Sequence, residues 1–115
     1  MLLIRGYQFG SMIVGETEHH NDLKILEGRV IPSWWRKEGH MVDVEDVEDI
    51  LSAKPEVLVV GMGDPGRMQV SVSLRAALAN MHIELIEEPT AHAVPTFNRL
   101  TMSGRNVAGA FHLTC

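Results

Sequence analysis

Cysteine is nearly missing from this chain: the one thiol is Cys115, so no internal disulfide can form. That fits a reducing compartment. Basic residues are outnumbered, with 10 Lys and Arg against 15 Asp and Glu for a formal charge of -5. Phosphate backbones draw affinity from clustered Lys and Arg, and no basic stripe is present, so no nucleic-acid partner is expected. Long apolar runs are lacking too. No window approaches the length of a membrane span, and Met1–Arg5 is too short a run for a signal peptide. The expectation is a cytoplasmic protein without a membrane role. Its 115 residues leave room for one domain, 1–115, that buries roughly two-thirds of its unfolded surface around one core.

Against this background one stretch stands out. Val57-Leu58-Val59-Val60, bounded by Pro55 and Gly61, is apolar at every position, which predicts a central parallel strand covered on both faces. Before it, Leu2 to Pro32 shows short apolar pieces punctuated by glycine and predicts an antiparallel β meander or hairpin. Asp43, with Asp46 three residues on, caps a helix whose inner stripe is Val44, Val47, Ile50 and Leu51 and which Pro55 stops. Ser71 or Ser73 caps a second helix with Leu74, Ala77, Leu78 and Met81 on one stripe. His82 ends it, in a left-handed conformation that His tolerates. Ile83–Glu87 then completes a β-α-β unit. Thr90 caps a third helix with Ala93, Val94, Phe97 and Leu100 inward. Pro95 inside this helix predicts a distorted or later start, and Gly104 supplies the left-handed stop. Val107–Leu113 reads as a closing strand, small-sided near its beginning. The fold class is α/β (α+β).

The sharpest motif is Gly61-Met62-Gly63-Asp64-Pro65-Gly66. It matches G-x-G-x-x-G after a strand, with Glu87 about twenty residues beyond, as a dinucleotide site requires. In such sites the helix opens inside the glycine run, so that its amides meet the pyrophosphate. Here Asp64-Pro65-Gly66 makes a turn and Arg67–Val70 an extended insert, so no dinucleotide cofactor is expected. A looser anion site, built from loop amides with Arg67 or the serine caps, fits better. Glu18-His19-His20-Asn21-Asp22 resembles a metal-ligand string, but neighbours on a strand face opposite ways, and a solvated polar edge is the expectation. No serine lies in a nucleophile elbow, and neither Cys115 nor His92 has an identifiable partner. Asn98 interrupts the apolar face of the third helix as a buried hydrogen-bonding residue would. Both tryptophans stand together in Trp34-Trp35-Arg36. An exposed Trp beside Arg is the composition of a binding hot spot; the alternative is that both rings cap the open end of the sheet.

Several segments in order resemble the domain-of-unknown-function family typified by the adipogenesis-associated Mth-domain-containing protein, which also includes a mitochondrial complex I assembly factor. They are Tyr7–Gly10, Asp22, Trp34-Trp35-Arg36 through Gly39-His40, Val57–Gly66, Val70-Ser71, Thr90, Ala93, Thr96-Phe97-Asn98, Leu100, Gly104-Arg105 and Ala110–Cys115. The resemblance implies a three-layer fold with a mixed central sheet and an extra small sheet, and no settled activity, cofactor or substrate. Ser103, Phe97 and His82 depart from the common Glu, Tyr and Gly of the family, so a proposal needing a carboxylate at 103 or a phenol at 97 loses its footing here. Two functions are carried forward. The first is a non-catalytic binding or assembly-factor-like domain, in which Trp34, Trp35 and Arg36 meet a protein partner or a second copy. The second is a small-anion or nucleotide-binding protein with weak enzymatic activity, its ligand held by Arg67, Thr90, Thr96, Asn98 and Arg105 between the glycine loop and the third helix.

Overall fold

The computed structural model describes all residues, Met1–Cys115. Its core is a five-stranded sheet ordered β5-β4-β10-β7-β9, formed by β4 (Leu23–Leu26), β5 (Arg29–Ile31), β7 (Val57–Met62), β9 (Glu84–Glu88) and β10 (Val107–His112). The strand β7 is parallel to both neighbours, β10 and β9, whereas β4 is antiparallel to β10. Every residue from Val57 to Val60 is fully buried, as the unbroken apolar run predicts. Side chains alternate across a strand. Accordingly Val57 and Val59 join one core cluster, while Leu58 and Val60 join the other on the opposite face. Each of these side chains contributes roughly 1.5–3 kcal/mol on full burial, so this one strand anchors both layers.

One face carries the 3₁₀ turn Val44–Val47 leading into α1 (Glu48–Ala53), together with α2 (Val72–Asn80). Asp43 makes the expected capping box with Asp46, and Ser71 rather than Ser73 caps α2. The ends are left-handed at Lys54 and His82, with φ 51 and 57°. A two-stranded parallel ribbon, β6 (Met41–Val42) with β8 (Gln69–Val70), is where the extended insert after the glycine loop finds its partner.

The other face carries α3 (Thr90–Met102) and a separate antiparallel sheet of β1 (Ile4–Gln8), β2 (Ser11–Val14) and β3 (Thr17–His19). Three layers result, with a mixed central sheet.

Three expectations need correction. The first 32 residues are not one meander, since β4 and β5 leave the small sheet and pair into the large one. The closing strand β10 is the middle of the main sheet, because Ala108, Gly109 and Ala110 leave room on both faces. A Cβ built on Gly109 would stand 2.8 Å from Phe111 Cζ and 3.1 Å from Phe97 Cε1. Finally, α3 begins at Thr90 with Pro89 as its N-cap and runs through Pro95 without a break. The ring costs one backbone donor, and Ala91, the residue whose carbonyl that donor would have met, is exposed.

Candidate functional site

The tryptophan doublet is split by the backbone, as neighbouring side chains in extended chain must be. Trp34 is buried: its backbone N–H donates to Asp22 O at 2.8 Å and its indole N–H to Asp46 O at 2.9 Å. It is therefore a core residue and does not offer a surface. Trp35 is 78% exposed. Arg36 turns back inward, with its side chain only 4% exposed and its guanidinium 4.6 Å from the Trp34 ring centre. Its Nε and Nη2 donate to Gly39 O at 3.0 and 2.8 Å, and Nη2 also donates to Asp22 Oδ2 at 2.7 Å.

Asp22, at the entrance to β4, is the hub. Oδ2 also accepts from His112 Nδ1 at 2.7 Å, and Oδ1 accepts from the Leu113 backbone N–H at 2.8 Å. Burial by itself pushes the carboxyl pKa up, but the hydrogen bonds from His112, Leu113 and Arg36 outweigh it and hold the group below its ordinary value. An ionised carboxylate only accepts, so the His112 ring donates from Nδ1. His40 meets the His112 ring edge-on, with centroids 5.8 Å apart. Two buried nitrogens in this cluster have no hydrogen-bond partner, Arg36 Nη1 and His112 Nε2. Both residues line a pocket of about 270 Å³, walled also by Asp22, Trp35, His40 and Thr114.

The five residues expected to hold an anion are not brought together. Thr90 is fully buried, and its hydroxyl donates to His112 O at 2.6 Å while accepting from the Gly63 N–H at 2.8 Å. These two bonds stitch the glycine loop and β10 to the start of α3 and leave the Thr90 hydroxyl engaged by the fold. Asn98 spends its amide on the β1 backbone, accepting from Ile4 N–H at 2.9 Å and donating to Ile4 O at 2.7 Å. Thr96 donates to His92 O one turn back in α3. Arg105 pairs with Glu56 at 3.2 Å and Glu84 at 3.6 Å, and Arg67 is exposed on the loop. Gly63, at φ +92°, lies so close to Thr114 O and the His112 ring that no side chain fits. The glycines let chain pack on chain, and α2 begins only at Val72.

His20 is exposed, 3.7 Å from Glu18, whereas His19 is half-buried in β3. No three His, Cys, Asp or Glu side chains converge in a way that could hold an ion.

What sequence reasoning missed was the partnership of Asp22 with His112. The signal available was a histidine inside an otherwise apolar, small-residue strand, which needs a polar partner when buried.

The family model described as "Protein of unknown function (DUF498/DUF598)" matches residues 4–112. No curated protein is significantly similar to the chain. Among solved structures it is similar to MT938, at 26% identity and a TM-score of 0.81 over 100% of both chains. It is also similar to a conserved hypothetical protein from Pyrococcus horikoshii OT3, at 24% identity and a TM-score of 0.82, covering 97% of this chain and 98% of that one. An outer membrane protein from Bartonella henselae matches at 23% identity and a TM-score of 0.81, covering 99% and 96%. No helix of this chain is long and apolar enough to cross a membrane. The family match and the likeness to MT938 bear out the Mth-like resemblance read from the sequence.

Proposed function

This chain belongs to the DUF498/DUF598 family of proteins of unknown function, and we propose that it serves as a non-catalytic binding domain, of the kind an assembly factor uses, that meets a protein partner through the face around Trp35. The observation that carries this reading is the contrast within one tripeptide. Trp35 is 78% exposed, yet it stands between Trp34, locked in the core, and Arg36, locked by Asp22 and Gly39. A large ring on a fixed base loses little freedom on association, which is why Trp is enriched among residues that dominate binding energy. Arg36 acts here as the base and not as a contact, so Trp35 carries the interaction.

The test compares proteins retained by the wild-type chain, by Trp35→Ala, and by Val72→Ala, which removes an apolar side chain that is equally exposed, at 84%, on another element. Size-exclusion chromatography with light scattering tests for a second copy of the chain as the partner. The expected result is loss of a specific partner or of self-association in Trp35→Ala alone. Retention of every partner by Trp35→Ala removes the reading.

A further inference from the structure

We infer that the outer face of the small sheet binds a primary ammonium group, which donates to Glu18 Oε1 while its alkyl stem lies over Gly6 and against Ile13. The site uses no residue of the Trp35 face and goes beyond the reading above. Gly6 in β1 stands opposite Ile13 in β2, and Ile13 opposite Glu18 in β3, so the three share one face. That face looks outward, because Ile4, Met12 and Val14 take the inner one. It holds a hollow of about 300 Å³ walled by Gly6, Tyr7, Gln8, Ser11, Ile13 and Glu18. Gly6, having no side chain, keeps the hollow open, yet nothing within the chain asks for glycine there. Its φ is not left-handed, and an added Cβ would meet only Ile13 Cδ1, at an ordinary 3.7 Å. A bulge follows Ile4, but the kind of bulge that needs glycine holds it left-handed. An interior strand glycine without those reasons marks the close approach of something from outside.

Charge and geometry together choose the ligand. Ser11, on the same face and only 8% exposed, donates its hydroxyl to Glu18 Oε2 at 2.7 Å and so fixes the carboxylate. Oε1 meets no donor of the chain, and no Lys or Arg pairs with Glu18; His20 Nε2, 3.7 Å from Oε2, is beyond hydrogen-bonding distance. The Glu18 side chain is 53% exposed, so Oε1 is open to a ligand. A chain with a net charge of -5 draws cations towards it. With Oε2 engaged, the carboxylate offers one oxygen rather than the two-oxygen edge that a guanidinium fork grips. An ammonium is a point donor and matches it. Ile13, 38% exposed in β2, supplies apolar surface for methylenes of the kind a lysine stem lays down. Gln8, also in the wall, has an amide carbonyl that can accept as well.

The experiment titrates the full chain with n-butylammonium, n-butanol and n-butylguanidinium, while NMR follows the backbone amides. Butylammonium is expected to move the Gly6, Ile13 and Glu18 amides together, with one dissociation constant. Butanol, of the same length but uncharged, is expected to bind about tenfold more weakly, the worth of a charge-assisted hydrogen bond, and butylguanidinium to bind less tightly than butylammonium. Glu18→Gln, at an exposed position, is expected to weaken butylammonium by about the same tenfold factor. Gly6→Val fills the hollow with a residue that suits a strand; it is expected to keep or raise the melting temperature and to abolish binding. A peptide with one lysine, its acetyl-lysine form and 1,4-diaminobutane then separate the sources of the ammonium. Tighter binding of the lysine peptide assigns it to a protein side chain, and tighter binding of the diamine to a free amine. Absence of shifts along the row, equal binding of butanol, preference for butylguanidinium, undiminished binding by either variant, or a melting temperature lowered by Gly6→Val overturns the proposal. Trp35→Ala is expected to bind butylammonium as the wild type does. Loss of a partner in Trp35→Ala without a butylammonium site therefore fails this inference alone, and the reverse result fails the partner reading alone.

Discussion

Replacing Asp22 by Asn tests whether the cluster holds the fold together as well as shaping the pocket. The carboxylate accepts from Arg36, His112 and the Leu113 backbone, and so ties the start of β4, the tryptophan loop and the end of β10 to one residue whose side chain is 15% exposed. Asn keeps the volume but replaces one acceptor oxygen by an NH₂ facing donors, and it leaves the Arg36 charge unpaired. Breaking a buried pair from one side costs about 3–5 kcal/mol. Arg36 keeps its bonds to Gly39 O and its seat on Trp34, so the lower end, about 3 kcal/mol, is expected. For a chain of this length that is a fall in Tm of roughly 12–18 °C. The folded-state pKa of Asp22 lies below its ordinary value of 3.8. Its contribution is therefore complete above the unfolded value and disappears as pH falls through the folded one. Urea titrations of both proteins should differ by about 3 kcal/mol at pH 7, with equal slopes, and by clearly less at pH 3. Glu87→Gln provides the contrast. Its bidentate pair with Arg75 is as short, at 2.6 and 2.7 Å, but the arginine side chain is 48% exposed, and water and salt leave such pairs worth about 1 kcal/mol or less. A gap below about 1 kcal/mol for Asp22→Asn at pH 7, or one that does not narrow in acid, refutes the reasoning.

Three further outcomes follow from the same structure. Trp34→Ala should destabilise by about 3–5 kcal/mol and Trp35→Ala by no more than about 0.5 kcal/mol, a difference that thermal melts of the two variants will register directly. Asn98→Ala frees Ile4 N–H and Ile4 O from α3, so about 2 kcal/mol is expected to be lost, with accelerated hydrogen exchange at the Ile4 amide and slower change in the main sheet. Gly63→Ala imposes a side chain at φ +92° against Thr114 O and the His112 ring. It should cost more than about 2 kcal/mol and broaden the His112 resonances, whereas Gly28→Ala, equally left-handed but in open space, should cost about 1 kcal/mol.

Much of the local structure was legible in the residues. The box of Asp43 with Asp46, the serine before α2, the left-handed histidine after it and the apolar stripe of α3 are each decided by groups within a few positions of one another, where spacing and chemistry speak directly. The run Val57–Val60 announced a strand covered on both faces because no other environment suits four such side chains in succession. Pro95 lies inside α3 and not at a distorted or later start, because tertiary packing of Ala93, Phe97 and Leu100 against the sheet outweighs one lost hydrogen bond.

The candidate site was another matter. Thr90, Asn98 and Trp34 carry the residue types of a site, yet each is consumed by the fold, since a buried polar group takes the nearest backbone partner on offer. Asp22 and His112 are separated by 90 positions, and Arg36 reaches them from a third segment. Neither hydrophobic period nor motif spacing records which strand becomes the middle of a sheet. The sequence by itself settled which segments are helix and strand and which family they belong to, because those depend on neighbours along the chain. Only the tertiary structure, by seating β10 between β4 and β7, decided that a carboxylate, a guanidinium and an imidazole would share one oxygen beside an exposed indole.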